Sequence, residues 1–359
     1  MIVLYILLAV LAFGIMIFFH ELGHFTFAKI FKVAINEFSI GMGPKIFSKK
    51  GKDGVQYSLR ALPIGGYVAM AGEDEESDDP NAYDKKPAYQ RFLIVIAGAV
   101  MNIIVAVVLV FAFTLSNMTY GTNKISAFDR DGVIKEYKGL MIDDEVIKIG
   151  DRKITSLEEL SYEIMLNGSK PQDFLVVRNG VETVVNDVTF PTETKDGFEY
   201  GLRTFDVYYK NQSFKSIIKN TFYTSISAAR MVWDSLIGLL TGKFGFQQLS
   251  GPIGVTGAMV EVAKIDIRGF VYLVAVISMN LGIFNLLPIP ALDGGTLVIT
   301  FIEMVTKKRL PKKIEETIKL VGFGLLISLV VFVSIKDIFN LFVWGLIWSI
   351  MILEEKQRA

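Results

Sequence analysis

The chain has 359 residues, of which 52% are hydrophobic, and it carries 37 basic and 37 acidic side chains. The zero formal net charge argues against nucleic acid as a partner, and the lack of cysteine excludes disulfide bonds and thiolate metal sites. Because this composition is too apolar for an ordinary soluble protein and too polar for a bundle of spans alone, we expect a membrane protein with a substantial aqueous domain.

The first apolar run, about residues 3–27, is long enough to span a bilayer and lacks the basic start and cleavage site of a signal peptide. It ends in His20-Glu21-Leu22-Gly23-His24, which contains both histidines of the chain. Residues four apart share one face of a helix, so His20 and His24 can bind one metal ion while Glu21 takes a proton from a water on that ion. Two structural histidines beside an accidental glutamate are the alternative, although such polar groups are costly in an apolar segment.

Further elements follow in chain order. Residues 37–70 contain short mixed runs joined by Gly51-Lys52-Asp53-Gly54, a hairpin signal. A second span is expected at about residues 92–115, and the alternating runs of residues 120–205 predict a small β-rich domain. Residues 217–240 carry Lys219, Arg230 and Asp234, and we interpret them as an amphipathic helix on or near the membrane, not as a further span.

A third span is expected at about residues 270–287 and a fourth at about residues 320–350. Lys336 and Asp337 interrupt the fourth run, so it is either one span or a span of residues 320–335 followed by a second apolar helix. Basic residues are concentrated in the loops after the first and third spans, which places those loops in the cytoplasm. The N-terminus, residues 116–268 and the C-terminus then lie outside, and the histidine motif lies at the cytoplasmic end of its span.

The third metal ligand is expected to be a carboxylate, because both histidines are already assigned and cysteine is absent. Asp293 and Glu303 are the candidates near the third span, and ten helical residues would separate them by about 15 Å, too far for one ion. We favour Asp293, since Pro288 and Pro290 interrupt the span just before it, and freed backbone groups at membrane depth require a cavity or protein neighbours. Asn285 either stabilises a developing oxyanion or caps the freed backbone groups.

Together these motifs resemble the site-2 protease family of intramembrane zinc metalloproteases, and within it the bacterial RseP/RasP-like branch. The resemblance covers about residues 1–305. It rests on the His20–His24 motif, on Asn285-Leu-Leu-Pro-Ile-Pro-Ala-Leu-Asp293-Gly-Gly, and on three other matches: residues 38–44 with residues 57–68, Gly98-Ala-Val-Met-Asn102 and Ser250-Gly-Pro-Ile-Gly254. It implies one Zn²⁺ per chain held by His20, His24 and Asp293, with Glu21 as the catalytic base, in a multi-pass protein of the bacterial cell membrane.

Residues 139–155 are similar to the corresponding run of bacterial PDZ domains, except that Asp143 occupies a position where glycine is usual. Such a domain either binds a C-terminal carboxylate or excludes substrates with bulky outer domains, and the sequence leaves both open. The expected fold is therefore a polytopic α-helical membrane protein with about four spans, a membrane-associated β-hairpin region and one extracytoplasmic PDZ-like α/β domain. We expect four parts: residues 1–115, the PDZ-like residues 116–206, the amphipathic residues 207–268 and the C-terminal membrane residues 269–359.

The expected activity is hydrolysis of transmembrane segments of single-span proteins, and the resemblance implies anti-sigma factors or signal-peptide remnants as substrates. A helical substrate must unwind before cleavage, and an exposed sheet edge in residues 41–50 and 57–68 can hold the unwound strand. A hairpin that only rests on the interface is the alternative. The residues predicted to bind substrate are Gly41, Met42, Gly43, Gly65, Gly66, Asn102 and Asn285.

Two other functions compete with this one. One is a membrane protease of the same motif that cuts soluble segments, and the other is an inactive membrane-anchored PDZ scaffold. The presence of Glu21 argues against the scaffold. The expected partners are the substrate and the lipid bilayer, without nucleic acid, and the oligomeric state is not indicated.

Overall fold

The computed structural model describes residues 2–73, 76–129, 134–195 and 197–358. The chain forms two compact units, one made of Met1–Ala106 with Leu249–Ala359 and the other of Val107–Gln248. We call them the membrane unit and the insert unit. The helices are α1 (Ile2–Ile30), α2 (Ala88–Ser116), α3 (Leu157–Asn167), α4 (Phe214–Leu240), α5 (Pro252–Ile265), α6 (Ile267–Asn285), α7 (Asp293–Thr306) and α8 (Lys312–Arg358).

Four helices in the described part of the chain are long and apolar enough to cross a membrane. They are α1, α2, α6 and the Lys312–Asn340 part of α8, which agrees with the number of spans expected from the sequence. The predicted amphipathic segment forms α4 and is not among them. The chain is therefore a multi-pass membrane protein with sheets in addition to its spans.

Helix α8 continues without a break through Lys336 and Asp337. Of the two alternatives left open by the sequence, the single long helix is the one observed. The buried Asp337 carboxylate accepts hydrogen bonds from the backbone N–H groups of Gly251 and Gly254, both at 2.9 Å. It thus satisfies donors at the first turn of α5 that have no partner within that helix.

Small residues let the membrane helices approach closely. A Cβ atom at Gly23 of α1 would collide with the backbone of Ala97 and Gly98 in α2, and one at Gly282 of α6 would lie 3.0 Å from the Ala99 carbonyl oxygen. These contacts place α2 directly against both the histidine-bearing helix and the helix that precedes Asp293.

The strands of the membrane unit are β1 (Ile35–Lys50) and β2 (Gln56–Met70), which pair antiparallel. The turn between them is closed by a hydrogen bond from the Gly51 N–H to the Val55 carbonyl, as the hairpin signal predicts. Both strands are long and bend back, so residues 37–40 pair on one side with residues 56–59 and on the other with residues 66–69. Residues 45–50 and 66–70 form the two edges of the resulting small sheet.

The insert unit contains the remaining strands, and its main sheet has the order β12-β3-β6-β8-β9, with β7 paired to β6. Ile125, Leu140, Phe174 and Val176 belong to its fully buried apolar core. The strands are β3 (Thr119–Ala127), β4 (Glu136–Tyr137), β5 (Leu140–Met141), β6 (Glu145–Ile149), β7 (Arg152–Lys153), β8 (Gln172–Arg178), β9 (Val181–Val188), β10 (Thr192–Lys195), β11 (Phe198–Gly201) and β12 (Asp206–Asn211).

Asp143 adopts a positive φ of 73° at the turn before β6. It therefore takes the left-handed conformation that glycine would adopt most easily, one that aspartate tolerates better than most residues. Its neighbour Asp144 is fully buried and accepts hydrogen bonds from Arg178 Nε and one terminal nitrogen at 2.8 and 2.7 Å. The turn keeps its shape without glycine, and a buried ion pair fixes it.

Candidate metal centre

Three potential metal ligands converge in the membrane unit: His20, His24 and Asp293. The two histidines lie one turn apart on α1, and their Nε2 atoms are 3.2 Å from each other. Asp293 Oδ2 lies 3.2 Å from the first of these nitrogens and 3.4 Å from the second. Three atoms that carry lone pairs thus form a nearly equilateral triangle.

The size of this triangle fits a tetrahedral zinc ion. Zinc binds histidine nitrogen and carboxylate oxygen at about 2.0–2.1 Å, so two ligands of a tetrahedron lie about 3.3 Å apart. Asp293 Oδ2 is buried and makes no contact with hydrogen-bond geometry to the described residues, although both ring nitrogens are close. A buried carboxylate oxygen without a donor requires another positive partner, and a bound cation provides one.

The space for the histidine rings is created by Gly98 of α2. A Cβ atom at this position would collide with His24 Nε2 and would lie 2.8 Å from His20 Cε1. The glycine is therefore required by the close approach of the rings, in the same place where Gly23 lets the two helix backbones meet.

Helix α2 also contacts the second nitrogen of each ring. His24 Nδ1 lies 2.9 Å from the Ile94 carbonyl oxygen, to which it donates when Nε2 binds a metal. His20 Nδ1 lies 3.4 Å from the side-chain amide of Asn102. The sequence predicted Asn102 among the substrate-binding residues, and the structure places its side chain against a histidine ring.

Glu21 lies between the histidine pair and strand β2. Its Cγ would be 3.4 Å from a Cβ atom at Gly66, and its carboxylate interacts with the backbone of Val68. Residues 66–70 form one edge of the small sheet, so the predicted base lies beside a strand edge. Such an edge can present a peptide backbone to a neighbouring carboxylate.

Asp293 is positioned by a glycine-rich turn. Helix α6 ends at Asn285, Ala291 has a positive φ of 82°, and α7 begins with Asp293 itself. Gly294 packs so closely on the Leu287 carbonyl that a side chain would collide with it. A side chain at Gly322 of α8 would likewise collide with Pro290, so the fourth span supports the turn that carries the carboxylate.

The alternative carboxylate, Glu303, is used elsewhere. It forms an ion pair with Arg91 of α2, whose side chain is 6% exposed. It does not belong to the cluster formed by the histidines.

Four of the predicted substrate-binding residues form one contact region in the hairpin. Met42 pairs with Leu62, and a Cβ atom at Gly65 would touch the Met42 side chain. Gly41, Gly43 and Gly65 have positive φ values of 82°, 84° and 89°, which favour glycine. Asn285 is the last residue of α6 and is half-buried.

Charged side chains fix the fold of this hairpin. Arg60 donates to Ser39 Oγ, to the Gly43 carbonyl and to Glu37. Partial burial opposes ionisation of Glu37, but hydrogen bonds from Ser58, Lys45 and Arg60 outweigh it and lower the pKa of this carboxyl group to about 2. Glu37 is therefore ionised at neutral pH and holds the two strands together.

A cavity of about 480 Å³ reaches Asp293 from one side. Most of its lining residues are polar or charged, and they come from the segment before α2, the start of α2, the turn before α7 with the first turn of α7, and the region around the start of α8. It includes Arg91, Arg309, Lys312, Glu315 and Lys319. Since charged groups keep water around them, the cavity gives solvent a path to one of the candidate ligands.

Several contributors to this site were not found by reasoning from the sequence. Gly23 and Gly322 matter because backbones approach there, and a glycine inside a helical pattern was the available signal. Arg91 had no sequence signal for its pairing with Glu303. The Ile94 carbonyl has none either, because every residue carries one.

Comparison with known proteins bears on this geometry. The family model described as peptidase family M50 matches residues 8–329 of the chain. A Clostridium acetobutylicum protein provisionally named a zinc metalloprotease is 37% identical over 341 residues, which is 93% of this chain and 97% of the relative.

Two further relatives carry more specific names. Zinc metalloprotease RasP of Geobacillus kaustophilus is 30% identical over 422 residues, with 93% of this chain and 97% of the relative covered. Regulator of sigma-W protease RasP of Bacillus subtilis is 28% identical over 418 residues, covering 93% of this chain and 98% of the relative.

Proposed function

The chain belongs to peptidase family M50 and is a zinc metalloprotease of the membrane, and we propose that it cleaves the transmembrane segments of single-span membrane proteins. The resemblance to site-2 proteases and the zinc cofactor expected from the motifs are thereby confirmed. The observation that carries the proposal is the convergence of His20 Nε2, His24 Nε2 and Asp293 Oδ2 within 3.4 Å of one another, next to helices that can cross a membrane.

His20, His24 and Asp293 hold the zinc ion in this proposal. When bound, zinc supplies a Lewis acid that polarises the scissile carbonyl and makes water more acidic. Glu21 removes a proton from the attacking water and later delivers it to the leaving nitrogen, which is the role of a general base and then a general acid. Asn285, at the end of α6, donates to the carbonyl oxygen as negative charge develops there.

The substrate is held as an extended strand. A transmembrane helix shields its own peptide bonds, so it must unwind locally before water can attack. The edge of the small sheet at residues 66–70 lies beside Glu21 and supports β-augmentation by the unwound segment. Gly41, Met42, Gly43 and Gly65 shape the neighbouring surface. The charged cavity that reaches Asp293 supplies the water.

The basic loops after the first and third spans favour a cytoplasmic location for the metal centre and an external location for residues 116–268. We assign the protein to the bacterial cell membrane. Residues 116–206 of the insert unit are interpreted as the single PDZ-like domain, and α4, in the same unit, as the amphipathic element that follows this domain. Anti-sigma factors and signal-peptide remnants are the proposed substrate classes. The regulatory name of the Bacillus relative is in keeping with the first of them.

The test uses the full-length protein in proteoliposomes with a single-span model substrate and, separately, a soluble peptide. Glu21→Gln keeps the shape of the side chain but removes the base. We expect full zinc content and a loss of cleavage of about 10²–10⁴-fold. Unchanged cleavage would refute the mechanism. Equal cleavage of the soluble peptide by the unmodified protein would favour the rival protease function.

Metal analysis separates the carboxylates. Asp293→Asn is expected to lose zinc, whereas Glu303→Gln, the matched control in the same helix, is expected to retain it. Full zinc occupancy in the first variant would remove Asp293 from the site.

A further inference from the structure

Asn102 is a buried polar residue that contacts the proposed metal centre without belonging to it. It lies one helical turn after Gly98 in α2 and is 1% exposed. Its side-chain nitrogen is 3.4 Å from His20 Nδ1. Its side-chain oxygen is buried and makes no hydrogen bond with the described residues. A buried amide oxygen without a donor loses its hydrogen bonds to water without compensation, so the arrangement needs an explanation.

A comparison of the hydrogen-bond partners of His20 and His24 provides this explanation. His24 directs Nε2 towards Asp293 and places Nδ1 2.9 Å from the Ile94 carbonyl oxygen. A neutral ring whose Nε2 binds a metal carries its proton on Nδ1, which must then donate to an acceptor. His20 has the same orientation, with Nε2 towards Asp293, but its Nδ1 faces an amide nitrogen.

Two donors cannot form a hydrogen bond with each other. A half-turn of the Asn102 amide exchanges its oxygen and nitrogen, which have nearly the same shape. The oxygen then faces His20 Nδ1–H, and both the ring proton and the unpartnered oxygen are satisfied at once.

We propose that Asn102 is a positioning residue that accepts the hydrogen bond of His20 Nδ1–H and so holds Nε2 ready for the metal. The inference rests on the proposed zinc site. Helix α2 would thereby orient both ligand rings, one through the backbone at Ile94 and the other through a side chain.

The position of Asn102 is itself fixed. Ser278 of α6 donates a hydrogen bond to the Asn102 carbonyl oxygen at 2.8 Å, and Gly282 packs one turn further against α2. At 1% exposure the amide offers almost no surface to a substrate. A role through His20 therefore fits the structure better than the direct substrate contact predicted from the sequence.

The test measures zinc affinity of the full-length protein in detergent by competition with a chelator. Asn102→Leu removes the acceptor at similar size, and Asn102→Asp retains one. We expect the leucine variant to lose about 10–100-fold in zinc affinity, the effect of removing an outer partner of a ligand, and the aspartate variant to lose far less. Thr114→Val, the control, removes a buried hydroxyl from the same helix and is expected to leave the zinc affinity unchanged.

A second measurement tests whether the effect of Asn102 on zinc affinity passes through His20. The His20→Ala variant keeps two of the three proposed ligands and therefore a residual zinc affinity, and adding Asn102→Leu should not lower this residual affinity, because its effect passes through the missing ring. If the leucine variant does not accumulate, Asn102→Ser takes its place, since serine is too short to reach the ring.

The outcomes distinguish this inference from the proposed function. Normal zinc affinity in Asn102→Leu together with zinc loss in His20→Ala would overturn the role of Asn102 alone. Full zinc binding by His20→Ala would overturn the metal site itself. A raised KM for substrate with unchanged zinc affinity would instead establish Asn102 as a substrate contact and refute positioning.

Discussion

Replacing Gly98 by alanine tests the metal centre with a single methyl group. The new Cβ atom would lie 2.8 Å from His20 Cε1 and 2.6 Å from His24 Cε1, whereas ordinary van der Waals contacts begin at 3.4 Å. The backbone of α2 is helical here and accepts alanine without strain. The effect of the substitution therefore comes from contact with the two rings.

The required movement can be estimated from these distances. To restore normal contacts, the His20 ring must move by about 0.6 Å and the His24 ring, whose Nε2 would lie closer still than its Cε1, by more than about 0.8 Å. Both movements are several times the ±0.2 Å within which metal–ligand distances are held. The rings have little room to move away, because His24 Nδ1 is hydrogen-bonded to the Ile94 carbonyl and because α1 and α2 are already in backbone contact at Gly23. We expect zinc affinity to fall by at least about 10-fold, comparable to the loss of an outer partner.

The assay is zinc content and chelator competition on purified protein, with Gly324→Ala as the matched control. Gly324 also lies in a membrane-spanning helix, but a Cβ atom there would meet nothing within 4 Å. The control should keep its zinc and gain about 0.5–1 kcal/mol of stability, because alanine favours the helix over glycine. Unchanged zinc affinity in Gly98→Ala would show that the rings are not the ligands or are not held where the structure places them.

Three further substitutions test other contacts. Asp337→Ala removes the acceptor for two backbone N–H groups at the start of α5, and thermal unfolding in detergent should show a loss of about 2–3 kcal/mol in the free energy of unfolding. An unchanged unfolding transition would show that these two hydrogen bonds do not stabilise the protein. Arg178→Leu leaves the fully buried Asp144 without its partner and should destabilise the insert unit by about 3–5 kcal/mol, measured by denaturant unfolding of the full chain, whereas a loss below 1 kcal/mol would indicate that water replaces the arginine. The pKa of Glu37 is lowered from 4.5 to about 2, so its stabilising effect is complete above about pH 4.5 and disappears as the pH falls towards 2. The unfolding temperatures of the unmodified protein and Glu37→Gln should therefore converge over that interval, and parallel curves would argue against the ion pair.

Features that depend on residues close together in the chain could be predicted from the sequence. The length and apolarity of four runs predicted four membrane helices, and the structure contains four such helices in its described residues. The spacing of His20 and His24 placed both rings on one helix face, and the Gly51–Gly54 turn predicted the hairpin. The sequence left open whether the fourth run breaks at Lys336 and Asp337, because a partner that the sequence does not reveal can stabilise a charged pair inside an apolar helix.

The choice of Asp293 shows what can be predicted by excluding other residue types as the third ligand. With two histidines and no cysteine, the sequence restricted the third ligand to a carboxylate and favoured this one on the strength of its prolines and glycines. The distance of 269 residues between His24 and Asp293 carries no information about their separation in space. Only the packing of α6 and α7 against α1 and α2 shows that the three predicted ligand atoms converge.

By itself, the sequence determined the residue types of the site, the apolar spans and the local turns, because these follow from side-chain chemistry and periods of a few residues. The tertiary structure decided which backbones touch and which polar groups face each other. Gly98 makes room for two rings, Asn102 faces His20, and Glu303 is occupied by Arg91. These relations depend on how helices distant in the chain pack within a fraction of an ångström, and that is fixed by the combined shape of many side chains and not by any one segment.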